Sequence, residues 1–572
     1  MKLILKEYLA SLREREELDA ILPDLLSQMG LNVIISPTRG VPEYGVDIAA
    51  VGSFKGKEEK VYLFSVKSGD LTRAHWDSGD QALRPSLNDI KDVFIENRIP
   101  EQHKDKPIVI GICFGGDMPS SMVDRVVSYT KSNTTKCIAY EIWNGDVLAS
   151  FVSEYLLSGS LLPWDRQSSL MRKSLALIEE PIVSSRHFCE LVRLILENDT
   201  DKKIVKSLIQ LNLVLWIFFS WCRDEENLEA AYISAEYSLL LAWDSAKKFP
   251  RKTTVKSAFE NFLKTYHTIS DAYLEKSIFP FVDKKHAISQ LVSAPCSISI
   301  NLKLFDILGR LTIKGQWLLF ELSELYKKDV SKKYESEEQK AIKKQLRKVK
   351  GAINQLVINN PLLLSPYKDE HAIELAMALH LLYQDNNDDG FAESWLDAVV
   401  DRVTFSFITN GMYPTNLHSY EQLLEHRNKD KTDSSYKESV TKASILYPTL
   451  TILCELYGRE EAAKQLEGFS SEHLKHCTLQ YWYPNEASEE HVFSGTDQHG
   501  VATTDFPING KAALEHVEEE SQYSNFFWEL SAVKQGYLPL VLMACRHYRY
   551  PVPFNLLFPE RLKANNREVD KT

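Results

Sequence analysis

Two short segments, 43–50 and 61–67, constrain the fold of this chain more than any other feature. Both are rich in Val, Ile, Tyr and Phe, and the polar link Gly52-Ser53-Phe54-Lys55-Gly56-Lys57 lies between them. That pattern predicts two neighbouring β-strands. Asp47 falls on the first and Lys67 ends the second. Upstream, Leu18, Ile21, Leu22, Leu25, Leu26 and Met29 keep helical spacing, and Gly30 suits the C-terminal cap. Pro23 should kink or restart that helix. Residues 31–36 read as a strand leading into the pair. Downstream come a helix near 86–97, a buried strand 107–114, a helix 120–131 and a strand 137–142. Trp143-Asn144-Gly145-Asp146 is a tight-turn signal, followed by a helix 147–157.

This order, a helix, a three-strand meander, then helix, strand, helix, strand, resembles the PD-(D/E)XK nuclease fold. Within it the Mrr-like restriction endonuclease branch is nearest. The residues that carry the likeness are Asp19, Met29-Gly30-Leu31-Asn32-Val33, Gly45-Val46-Asp47-Ile48 and Phe64-Ser65-Val66-Lys67. The likeness covers about the first 150 residues. It implies a metal-dependent deoxyribonuclease, using Mg2+ with Mn2+ as a substitute and DNA as substrate. Phosphodiester hydrolysis needs a hard cation to polarise the phosphoryl oxygen and activate a water, and Mg2+ prefers oxygen ligands. Asp47 is the first candidate ligand. Lys67 would stabilise charge developing in the transition state.

Ser65 and Lys67 are two apart on one strand and so share a face. The family carries Glu, Asp or sometimes Gln where this chain has Ser65, a neutral residue and a poor metal ligand. A nearby carboxylate must compensate, or the site is weak or dead. Asp19, Glu43 and Asp70 are the candidates, with Asp19 first because it falls where the family carries a helix acid. The backbone carbonyl of Val66 is a further candidate ligand by the same likeness.

The chain has 572 residues, enough for two or three domains. The expected organisation is a nuclease-like domain over 1–158 and a helical domain over 159–572, divided in two near 280–299, where Pro280 and Pro295 fall. The fold class is therefore an α/β N-terminal restriction-endonuclease-like domain, a mixed sheet flanked by helices, followed by a large all-α region. In the latter, helices are expected near 186–197, 203–222, 226–247, 302–327, 337–357, 373–383, 392–403, 442–457 and 526–545. No fixed-period repeat is present. Eight cysteines without CxxC spacing give no zinc ribbon or disulfide framework and suit a reducing cytosol.

No secretory signal is read at the N-terminus, where charge interrupts the apolar run. The apolar run 211–221 is eleven residues long, too short to span a bilayer, and predicts a buried core helix. A cytoplasmic protein without a membrane partner is expected. The net charge of −12 argues against generic DNA coating but not against a local contact. Lys343, Lys344 and Arg347 fall on one helix face that could meet phosphates, although Glu335, Glu337 and Glu338 balance it. His473, His476 and Cys477 have ligand-like spacing but no matching second pair. Residues 481–507 read as a long ordered loop.

Proteins of this architecture resemble prokaryotic anti-phage defence effectors, in which the helical part senses, oligomerises or docks a protein partner. A non-catalytic scaffold with a degenerate nuclease fold is the reading from a different class.

Overall fold

The structure is a computed structural model. It describes residues 2–12, 18–35, 44–56, 58–78, 82–156, 164–197, 203–292, 296–328, 335–383, 390–495, 501–523 and 525–557. Five strands form one mixed sheet in the order β1-β2-β3-β4-β5: β1 Asn32–Ile35, β2 Ile48–Gly52, β3 Lys60–Lys67, β4 Ile108–Phe114 and β5 Ile138–Trp143. β1, β2 and β3 form an antiparallel meander, and β3, β4 and β5 are parallel. The parallel pairs need crossovers. Helical segments between Leu83 and Asn97 provide the first, and the helix Ser120–Asn133 provides the second.

Alternation along the strands sorts the sheet into two faces. Ala49, Val51, Val61, Leu63, Ile110, Ile112 and Phe114 share a core with Trp76, Leu83, Leu87, Phe94, Met122 and Val126. On the opposite face Phe64 lies 4.7 Å from Trp143, which packs edge-on to Phe151. Gly111 on β4 makes room there, since a Cβ at that position would run into the Phe64 ring.

The helix Asp19–Gln28 is continuous, with Pro23 inside it. Pro23 sits about one turn in, where its missing N–H costs only a bond at the helix start, so the expected break does not occur. Asn144 accepts from the Val147 N–H at 3.0 Å and caps the helix Gly145–Phe151, so the Asn-Gly signal opens a helix directly.

The chain divides into two compact units, Met1–Ser238 with Arg251–Ile269, and Leu239–Pro250 with Ser270–Thr572. The boundary expected near 158 falls inside the first. Helices Trp164–Ala176 and Pro181–Leu196 pack together, and Ile204–Asp224 packs on Lys2–Ser11 of the same unit. Ile204–Asp224 is longer than its eleven-residue apolar run, because Ile204, Ser207, Leu208 and Gln210 are buried too. Among the described residues it is the one helix long and apolar enough to cross a membrane, and 61% of its most apolar window is buried inside the protein.

The second unit is mostly helical, and its longest helix is Ser297–Lys328. Short strands interrupt it: Ala443–Ser444 pairs in parallel with Thr478–Leu479, and Tyr481–Tyr483 pairs antiparallel with Val501–Thr503. The expected helix 442–457 therefore opens on a strand and runs Leu446–Leu456. The expected helix 526–545 is broken into Asn525–Glu529, Ser531–Lys534 and Pro539–Tyr548, with Gly536 at φ 77° between the last two.

Candidate functional site

Asp47 lies just before β2, not within a continuous strand 43–50. Tyr44 and Gly45 adopt φ 45° and 79°, a left-handed turn that a strand cannot contain. Gly45 is required twice over, by that φ and because a Cβ there would run into the Ser86 carbonyl. The Arg98 guanidinium lies 5.5 Å over the Tyr44 ring and helps hold the turn.

The turn delivers Asp47 to the edge of β3. Its backbone N–H donates to the Phe64 carbonyl at 2.9 Å, and its Oδ2 accepts from the Val66 N–H at 2.6 Å. Pairing of β2 with β3 stops at Ile48–Phe64, so the half-buried Asp47 carboxylate continues the ladder by one rung. In an extended strand a residue's N–H and C=O point to the same side. The Val66 carbonyl therefore faces the edge where Asp47 sits. Burial pushes the Cys113 thiol up, and the nearby Asp47 charge adds to the effect.

Ser65 and Lys67 share the opposite register of β3, as expected. Both are deeply buried, at 1% and 6% exposure. Lys67 pairs across the sheet with Phe114 and Ser65 with Ile112. Asp70 lies beyond β3, where its Oδ1 accepts from the Asp117 N–H at 2.7 Å. That ties the β3 and β4 loops together and commits Asp70 to structure.

Asp19 opens its helix, and the turn after Gln28 sends β1 back along it. The helix packs on β1 and β2. The Asp19 side chain and all of Glu43 lie outside the described residues. Among the described residues no three His, Cys, Asp or Glu side chains converge on one point. What the described residues offer a hard cation is one carboxylate and one backbone carbonyl on the same edge of β3, oxygen donors of the kind Mg2+ takes.

Sequence reasoning missed what braces this end of the sheet. Lys6 bridges Asp117 and Asp146, at 3.0 Å each. The tripeptides Ser68-Gly69-Asp70, Gly115-Gly116-Asp117 and Asn144-Gly145-Asp146, each directly after a parallel strand, were the available signal.

In the second unit Lys343 pairs with Glu335 and sits 5.4 Å over the Tyr326 ring, while Lys340 pairs with Glu337. Lys344 and Arg347 are exposed and make no ion pair among the described residues. His476 bonds the Thr441 hydroxyl at 2.8 Å, and burial pushes the Cys477 thiol up to about 12. Those two are occupied separately, and His473 ends its own helix.

No protein-family model, curated protein or solved structure matches this chain.

Proposed function

We propose that the N-terminal unit is a PD-(D/E)XK endonuclease of the Mrr-like kind that hydrolyses DNA phosphodiester bonds with Mg2+. The observation that carries this reading is the seating of Asp47 on the Val66 N–H at the open edge of β3, with Lys67 one residue further on. The strand order, an antiparallel meander continued by two parallel strands, supports it.

Asp47 and the Val66 carbonyl would hold the ion, with Mn2+ able to replace it, and Asp19 or Glu43 would supply the carboxylate that Ser65 lacks. When bound, the ion polarises the phosphoryl oxygen and lowers the pKa of the attacking water. The protein orients the Asp47 carboxylate through the Val66 N–H. Lys67 carries its charge on a rigid strand, where it can meet negative charge growing on the phosphoryl oxygens. The helical unit then senses, oligomerises or docks a partner, as in a prokaryotic defence effector of the cytoplasm, and Lys344 and Arg347 are its candidate phosphate contacts.

The buried Ser65 favours the second reading, a degenerate nuclease fold kept as a scaffold. Incubating the full chain with plasmid, linear and single-stranded DNA separates the two, using Mg2+, Mn2+ or chelator. Metal-dependent cleavage that is lost in Asp47→Asn supports the enzyme. No cleavage of any form, with DNA binding absent as well, supports the scaffold.

A further inference from the structure

Four short extended segments of the second unit end at one cleft of about 180 Å³. Lys368 bridges Thr415 in parallel, and Ala443–Ser444 runs parallel to Thr478–Leu479. The Asn416 amide joins the two pairs by bonding both the C=O and the N–H of Ala443, at 2.7 and 3.2 Å. Asp369, His418, Ser444 and Gln480 line the cleft from the carboxyl ends of these segments. That is the end at which parallel strands open crevices for ligands.

The charges of the cleft are unevenly satisfied. Arg549, held in the left-handed region at φ 61°, donates to Glu374 at 2.6 Å and lies 3.6 Å from Glu370. Lys368 also pairs with Glu370. Both cations are thereby consumed. Asp369, 7% exposed, receives only neutral donors: the Ser444 hydroxyl, the Ile445 N–H at 2.7 Å and the Leu446 N–H at 3.4 Å. No cation among the described residues pairs with it. These three bonds leave about one of the carboxylate's four lone-pair positions for a further donor. They also occupy the N-terminus of the helix Leu446–Leu456, where an anionic ligand would otherwise go.

We propose that this cleft binds a small polar ligand through a protonated amine held by Asp369, with the Gln480 amide and the His418 ring beside it. The site is independent of the nuclease reading. Burial raises the Asp369 carboxyl to about 6 against the bonds from Ser444, Ile445 and Leu446, and Glu370 adds to the rise. The other titratable and charged groups around it are His418 and Glu370, 3.7 Å apart on the cleft wall, with Lys368 and Arg549 on Glu370, then Tyr447 and Cys477 on one side and His371 within its own turn. Burial keeps Tyr447 and Cys477 protonated and His371 neutral, and Asp369 loses its charge as pH falls through about 6.

The test uses the full chain and three probes of one size: ethanolamine, ethylene glycol and glycolate, which carry positive, zero and negative charge. Binding is read by ligand-observed NMR. Ethanolamine should bind saturably and the other two should not. Its affinity should fall about tenfold from pH 7.5 to pH 5, the fraction of Asp369 left ionised, while the probe itself stays protonated. Asp369→Asn should lose the binding. Equal binding of glycolate or ethylene glycol overturns the proposal, as does a flat pH profile or no response to ethanolamine. A folded Asp369→Asn that still binds does the same. Should that variant fail to fold, the charge series and the pH profile of the unaltered chain decide alone.

Discussion

Asp47 serves the sheet with one carboxylate oxygen, which accepts from the Val66 N–H. Asp47→Ala would therefore remove a ligand and also strand a donor, at a cost of about 1–3 kcal/mol. Asp47→Asn keeps an oxygen for Val66 and separates the two effects. The expected outcome is cleavage lowered at least about a hundredfold with an unchanged melting temperature. Cleavage within a factor of two of the parent would end the assignment of this site. Lys67 is buried at 6% exposure, so Lys67→Met, which keeps the stem's packing, is the fairer variant. It should lower kcat about a hundredfold while DNA affinity stays within about threefold, because its charge is placed for the transition state. A variant that fails only by losing DNA would contradict that role.

Cys296 is a residue that sequence reasoning passed over. Burial works against its thiolate, but the Ser299 hydroxyl and N–H, the Tyr420 hydroxyl and the Ile298 N–H outweigh it and bring the thiol down to about 7. Burial instead pushes Cys189 to about 11, and Cys222 and Cys454 to about 12. Iodoacetamide at pH 7 should therefore label Cys296 well before those three, with the rate falling as pH drops below 7. Tyr420→Phe should slow the reaction. Mass-spectrometric mapping showing Cys222 or Cys454 modified first would refute the assignment.

At the scale of elements, legibility followed how local the cause was. The strands β3, β4 and β5 were readable because runs such as Ile108-Val109-Ile110 have no other use in a folded chain. The turn before Asp47 was not, since Tyr44 and Val46 have strand-like side chains and only Gly45 betrays the left-handed backbone. Strands of two or three residues, such as Ala443–Ser444 and Tyr481–Tyr483, exist through partners more than thirty and about twenty residues away, respectively. The cleft of the second unit was illegible for the same reason: Asp369, Ser444, Gln480 and Arg549 meet only by tertiary packing. Of the candidate site, Ser65, Val66 and Lys67 lie on β3 as their spacing indicates, while Asp47 lies just before β2. The Lys6 brace comes from a distant helix and was not readable. Gly45→Ala tests the turn directly. It forces a side chain onto the Ser86 carbonyl at a positive φ, and should cost about 1–3 kcal/mol. It should also lower cleavage by shifting Asp47. A variant with parental melting and parental cleavage would mean that the turn does not position the carboxylate.

For the molecule as a whole, the second unit holds titratable groups whose burial works in opposite directions. Burial drives His380 and His426 down to about 4, helped by Lys350 and Lys431 respectively, and holds His371 well below the ordinary histidine range. Between about pH 4 and 6.5 the unfolded chain binds protons at all three sites and the folded chain does not, so stability is lost as pH falls. Asp369 does the reverse: its folded carboxyl titrates near 6, above the unfolded value, so its contribution is fully present in acid and is lost as pH rises through 6. The histidines outnumber Asp369, so unfolding takes up protons on balance and acid destabilises this unit. Calorimetric melts at pH 7 and pH 5 should therefore show the transition of this unit moving down in acid. His380→Leu should remove about one proton from the uptake and flatten the dependence. A melting temperature that holds steady or climbs toward pH 5 would mean that the buried histidines are not what sets the acid limit of this protein.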